Sequence, residues 1–404
     1  MLFSKEVYII TYVIIHEGRV MQAVHRHHKS HEVWHYILEK TGFFIKNNVV
    51  LVIAFALALA TSIIVPIDRE YIGYFDFKTL TCLFCVLAVV CALKNVKFFT
   101  VLATKIVKLF KNTRGAILAL VYVTFIGSML IANDMALLTF LPLGYMVLSK
   151  TGQKRLMAFT FIMQNIAANL GGMLTPFGNP QNLYLYSAFN IPTGDFMLTM
   201  LIPFLASVTL ITVCCLFIKK QPLVLDEETV VLPKKRVAVY SVLFALSIII
   251  VFRVIPYWIG LIIIPIALLL LDRKALKQVD YSLLFTFVCF FIFAGNMARI
   301  DVIKDFFSWL INKNPLIVSA LSCQVISNVP SAILLSKFTT EWQALLIGVN
   351  IGGCGTLISS LASLITFKEY VNHNPGKTLK YVGLFSAFNF AFLIILIGIS
   401  LLII

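Results

Sequence analysis

Charge is what this chain lacks most. Only 13% of its 404 residues are Asp, Glu, Lys or Arg, while 60% are hydrophobic and the mean hydropathy is +0.94. A water-soluble fold of this size has too much surface to cover with so few charges, so that class is excluded. Also missing is the alternation of about 10-residue segments that marks a transmembrane β-barrel. Apolar stretches recur instead near the roughly 20 residues that a helix needs to cross a bilayer. The chain reads as an all-α integral membrane protein.

Other absences narrow the class further. The eight cysteines all fall inside apolar segments, which argues against a disulfide framework or a zinc site, and the Cys82/Cys85 spacing reads as helix packing. The apolar run from Val7 to Ile15 has no small-residue cleavage site after it, so a signal peptide is not expected. A net charge of +15 is scattered over short loops rather than gathered in a patch, and no nucleic-acid partner is indicated. Histidine is nearly confined to residues 1–47, which hold six of the seven. His27, His31 and His35 share a helix face at metal-binding spacing, but no carboxylate or thiolate cluster completes a site. Residues 1–47 are expected to form a basic, His-rich, amphipathic cytoplasmic arm on anionic lipid headgroups.

What is present is a series of membrane-length helices. About nine full crossings are expected, at 48–66, 78–93, 156–193 (interrupted), 194–218, 237–254, 259–271, 281–295, 342–372 (interrupted) and 381–402. Two apolar segments remain, 115–149 and 315–336, each broken in the middle by polar residues, and both fit re-entrant hairpins. If the hairpins return to the side they enter from, loop Lys and Arg divide 19 inside to 6 outside, with the N-terminus cytoplasmic. The expected organisation is a first repeat at 48–218, a linker loop and helix at 219–258, and a second, inverted repeat at 259–404. The first hairpin would open to the cytoplasm and the second to the outside.

A duplicated motif supports this division. Asn169-Leu-Gly-Gly-Met-Leu-Thr175 aligns without a gap on Asn350-Ile-Gly-Gly-Cys-Gly-Thr356, each copy following a hairpin. Glycine pairs release the backbone from helical geometry, and Pro176 and Pro180 prevent its simple continuation, so amides and carbonyls are freed at membrane depth. Carbonyls suit a hard cation such as sodium, and half-helix N-termini suit an anion. Thr175, Gly178, Asn179 and Asn182 in the first copy, and Ser359, Ser360 and Ser363 in the second, are polar neighbours that helix packing alone does not require. At the hairpin tips stand Asn133-Asp134 and Ser327-Asn328. Asp134 is the only carboxylate between Asp76 and Asp195, and a charge inside membrane segments marks coordination of a coupling cation or proton exchange.

The run Ile131-Ala-Asn-Asp-Met-Ala, the string Gly171-Gly-Met-Leu-Thr-Pro-Phe-Gly-Asn-Pro-Gln-Asn182 and the run Ser327-Asn-Val-Pro-Ser-Ala resemble the ion transporter superfamily. The closest resemblance is to its citrate-transporter-like and arsenite-pump-like permeases, with the divalent-anion/sodium symporters as relatives, over roughly residues 45–404. It implies that the tips and the helix breaks hold coupling ion and substrate. The implied site residues are Asn133 and Asn328 with the loops Gly172–Asn182 and Gly353–Ser363. Together with the residue reading, the candidate set is Asn133, Asp134, Asn169, Gly171, Gly172, Thr175, Gly178, Asn179, Pro180, Asn182, Ser327, Asn328, Asn350, Gly352, Gly353, Thr356, Ser359, Ser360 and Ser363. A sodium site would use Asn133, Asp134, Gly172 and Asn328. The symporters carry Ser-Asn-Thr at both tips; here Asp134 and Val329 stand in place of the threonines, and Asn-Asp resembles the arsenite-pump tip.

The expected function is ion-coupled secondary transport of a small anion, of the carboxylate or oxyanion class, in the cell membrane, driven by protons or sodium. Arsenite or antimonite efflux and sodium/proton exchange are the alternatives. No cofactor is expected. A homodimer is implied by the relatives, and a partner ATPase only for an arsenite-type pump. The chain itself lacks a phosphate loop, since Pro375-Gly-Lys-Thr378 has Val371 where the first glycine belongs. A remote alternative is an intramembrane enzyme using Asp301 and Asp305. Asp134→Asn should abolish gradient-driven uptake in proteoliposomes and Asp301→Asn should leave it intact; the opposite pattern would overturn the transporter reading.

Overall fold

The computed structural model describes residues 48–223 and 232–403, together with Lys40, Gly42 and Ile45. The arm histidines and the acidic run Asp226–Glu228 lie outside the described residues. Eighteen α-helices are present among the described residues, and no strand longer than the isolated bridge Asn112–Pro222. The protein is an all-α membrane protein, with five helices long and apolar enough to cross a bilayer and several shorter apolar ones.

The helix order repeats. In the first half α1 (Val49–Ile64) precedes α2 (Phe77–Asn95), a short α3 (Phe98–Lys108), a hairpin of α4 (Thr113–Ile131) and α5 (Asn133–Lys150), a broken pair α6 (Met157–Gly171) and α7 (Pro180–Ala188), and α8 (Thr193–Leu216). Helix α9 (Lys234–Val251) joins the halves. The second half runs α10 (Tyr257–Leu271), the short α11 (Arg273–Lys277), α12 (Tyr281–Ala298), α13 (Asp301–Ile311), a hairpin of α14 (Pro315–Ile326) and α15 (Asn328–Leu335), a broken pair α16 (Trp342–Ile351) and α17 (Leu361–His373), and α18 (Thr378–Leu401). The short helices α3 and α13 occupy matching places in the two halves, after α2 and α12.

Contacts between helix ends sort them onto two faces. On face A, Thr113 N donates to Gln221 O (2.9 Å), Leu223 N to Lys111 O (3.0 Å) and Arg114 Nε to Ile218 O (2.7 Å), which ties the base of the first hairpin to the end of α8. The ends of α2 and α10 meet there through Asn95 and Asp272 (3.0 Å), and the end of α17 meets the hairpin through the stacked rings of His373 and Tyr145. On face B, Arg253 at the end of α9 binds Asn190 and Ile191 after α7, and Tyr184 of α7 meets Ser336 at the base of the second hairpin (2.7 Å). The two hairpins therefore open to opposite faces.

Neither hairpin crosses. The tip residue Asn133 bonds Asn169 in the last turn of α6, and Asn328 N donates to Ser359 O inside the second break (3.0 Å). Helix α4 has the length and apolarity of a membrane span, yet it stops at the level where α6 is interrupted.

Each half also lends a helix to the other. Helix α1 packs chiefly on α12, and α10 on α2. Asn296 Nδ2 of α12 donates to the hydroxyls of Thr61 and Ser62 on α1 (3.3 Å each), and Arg299 beyond α12 pairs with Asp68 beyond α1 (2.6 Å). The hydrogen bond from Arg299 holds the Asp68 carboxyl below its ordinary range.

Glycine sets the closest approach. A Cβ on Gly171 would collide with the carbonyl of Phe125 on α4, a backbone group that cannot move aside, whereas one on Gly383 of α18 would meet nothing within 4 Å. Gly171→Val should destabilise the fold by about 1–3 kcal/mol and lower the melting temperature of the purified protein, with Gly383→Val close to neutral.

Candidate functional site

Both tips reverse the chain in one residue. Ala132 (φ 65°, ψ 154°) separates α4 from α5, and Ser327 (φ 73°, ψ 161°) separates α14 from α15. This is a region that essentially only glycine enters freely, and each residue held there costs about 1–3 kcal/mol. The same cap supports both: Asn133 Oδ1 accepts from Asp134 N (2.9 Å), and Asn328 Oδ1 from Val329 N (2.9 Å). The repeated threonines brace the arm below each tip. Thr175 Oγ1 donates to Met129 O (3.0 Å) and Thr356 Oγ1 to Gln324 O (3.1 Å), in each case three residues before the strained position.

The two breaks are clasped to each other by amides. Asn350 Oδ1 accepts from Asn179 Nδ2 (3.1 Å) and Gln181 Nε2 (3.4 Å), while its own Nδ2 donates to Asn182 Oδ1 (2.6 Å). Asn169, its counterpart, accepts from Asn133 (3.2 Å) and donates to Gly353 O (3.3 Å). The carbonyls released by the interrupted helices are met from within: Asn182 Nδ2 bonds the carbonyls of Gly172, Met173 and Thr175, and Gln324 Nε2 those of Gly352 and Cys354. Ser359 Oγ adds bonds to Gly353 O and Thr356 O (2.8 Å each). Ser360 caps α17 through Ser363 N, and Ser363 accepts from Asn165 on α6 (3.4 Å).

A cavity of about 720 Å³ lies against the tips. Of the candidate residues, Asn133, Asp134, Pro180, Ser327 and Asn328 line it. Asn169, Gly171, Gly172, Thr175, Gly178, Asn179, Asn182, Asn350, Gly352, Gly353, Thr356, Ser359, Ser360 and Ser363 stand behind that wall as framework rather than lining. Gly172 and Gly178 face each other so closely that a Cβ on either would strike the other's carbonyl region. Gln181 and Ser322 also line the cavity, and Gln324 clamps the second break; sequence reasoning missed all three. Each was visible as a polar residue in an apolar run, but none repeats between the halves. Asp301 and Asp305 lie exposed on α13, away from the cavity lining.

Four half-helices begin at this cavity. The first residues of α5 (Asn133), α7 (Pro180), α15 (Asn328) and α17 (Leu361) all line it, so four helix dipole ends converge. Asp134 is the one ionisable side chain among the described lining residues, and its Oδ1 is buried without a partner. Gln181 is 1% exposed and its Oε1 is likewise unpartnered.

Broken helices meeting back to back under two opposed hairpins define a membrane transporter. The comparisons with known proteins make this specific: residues 36–344 match the citrate transporter family, and the chain belongs to it. It is 34% identical to the uncharacterized transporter MJ0456 of Methanocaldococcus jannaschii over 77% of this chain and 86% of that protein. It is 30% identical to the inner membrane protein YbiR of Escherichia coli over 67% of this chain and 74% of that protein.

Asn350→Leu removes an acceptor and a donor at once, leaving Asn179, Gln181 and Asn182 without it. Each orphaned buried amide costs about 1–3 kcal/mol. The variant should show a lowered melting temperature, and a double-mutant cycle with Asn182→Leu should give a strongly non-additive result.

Proposed function

We propose that this protein is an ion-coupled secondary transporter of a small anion, of the carboxylate or oxyanion class, working by alternating access around the cavity at the hairpin tips. The observation that carries the reading is the unpartnered Asp134 carboxylate oxygen set among four half-helix N-termini. The N-termini attract an anion, while an ionised Asp134 beside it repels one. Loading Asp134 with a proton or a cation removes that repulsion, so ion and anion bind together.

Proton coupling fits the donor set better than sodium coupling. Sodium needs several free oxygens, yet Asn133 Oδ1 and Asn328 Oδ1 are used as caps and Gly172 O is bonded by Asn182. Asp134 alone among the candidate sodium ligands keeps an oxygen unengaged. The abundance of Lys and Arg at face A, where the first hairpin opens, supports a cell-membrane orientation with that face and the N-terminus cytoplasmic.

The test is carboxylate-dependent proton flux into proteoliposomes, read with a trapped pH indicator. Wild type should acidify the lumen when carboxylate is added under an inward proton gradient. Asp134→Asn should abolish this accumulation yet retain exchange of labelled for unlabelled anion. If flux follows a sodium gradient alone and Asp134→Asn is indifferent, proton coupling is wrong.

A further inference from the structure

The rest of the cavity lining is unlike what a highly charged substrate requires. Beyond the polar floor made by Asn133, Asp134, Gln181, Ser327 and Asn328, the lining is almost wholly apolar: α1, α12 and α13 contribute Leu57, Phe290, Phe293, Met297 and Leu310, and α14 and α17 add aliphatic side chains. Ser322 and Thr286 are the remaining polar residues among the described lining residues, and no Lys, Arg or His is among these. A tricarboxylate placed here would set two of its three charges against Leu and Phe, and a desolvated, unpaired carboxylate is far too unfavourable for that.

From this division we infer that the substrate is a small monocarboxylic acid with an apolar body, carrying at most one negative charge when bound. Its carboxyl group sits on the floor, where Gln181 Oε1 and Asp134 Oδ1 lack partners and can accept a hydrogen bond from a protonated acid, and where the N-terminal amides of α5, α7 and α17 can donate to an ionised one, those of α15 being held by Ser359 O, Asn328 Oδ1 and Ser327 O. Its hydrocarbon part lies along α12 and α14. The volume of about 720 Å³ leaves room for a six-carbon chain or an aromatic ring. This inference rests on the proposed anion transport and names the chemistry of the anion.

The test is a chain-length series. Apparent Kd is measured by thermal shift of the purified protein with acetate, butyrate, hexanoate and phenylacetate, and with succinate and citrate. Burial of each methylene against this lining should tighten binding about three- to four-fold, so hexanoate should bind on the order of a hundred-fold tighter than acetate. Leu321→Arg, at a 55% exposed position on the wall, should flatten that series without unfolding the protein. If succinate or citrate binds tighter than hexanoate, or affinity does not rise with chain length, the inference is overturned while anion transport stands. If no carboxylate of either kind shifts the melting temperature or moves across proteoliposomes, both are overturned.

Discussion

Everything in this protein follows from one constraint: a helix interrupted inside a bilayer exposes amides and carbonyls that no water can reach, and each must be satisfied by protein. The chain meets the constraint with carboxamides. Asn182 and Gln324 absorb the carbonyls at the C-terminal ends of the broken helices, and Asn169, Asn179 and Asn350 bind the two breaks to each other. Because the carbonyl ends are consumed internally, what the breaks present to the cavity is their amino ends. The polarity of the site is thus decided by which half of each break is capped from inside.

The two halves do this with unequal means. In the first, one residue, Asn182, holds three carbonyls across its own loop. In the second, the equivalent position is Ser363, which bonds Asn165; Ser359 takes the carbonyls of Gly353 and Thr356, and Gln324 reaches from the hairpin arm to those of Gly352 and Cys354. Gly355, with φ 124°, leaves room for that amide to lie over the break, where a Cβ would collide with it. The second break is therefore joined to its hairpin arm by Gln324 as well as by Thr356, whereas the first meets its hairpin through Thr175 and Asn169.

Much of this architecture was legible before any coordinates. Helix positions, the hairpins and the inverted order could be read because apolar length and loop charge report on the bilayer, an environment that acts on every residue alike. The paired threonines and asparagines were recognisable by repetition. What the sequence does not show is the division of labour behind the repeat: Asn169 and Asn350, candidate ligands in sequence, bond the two breaks to each other behind the cavity lining, since side-chain direction depends on the rotation of a helix about its axis, and the one-residue tips carry no glycine to signal them. Gln181 and Gln324 have no counterpart in the other half, so repetition does not single them out.

The exchange of helices between halves has a consequence for the making of the protein. Helix α1 finds its main partner only in α12, whose first residue is Tyr281, so more than half of the chain must be synthesised before α1 can dock. At ribosomal speeds of about 5–20 residues per second the wait is on the order of ten to forty seconds. The hydroxyls of Thr61 and Ser62 also bond Ala58 O of their own helix, a pairing that needs no partner helix. The first hairpin and broken helix find their partners within the first half, whereas the lining that α12, α13, α14, α15 and α17 give the site comes only with the second.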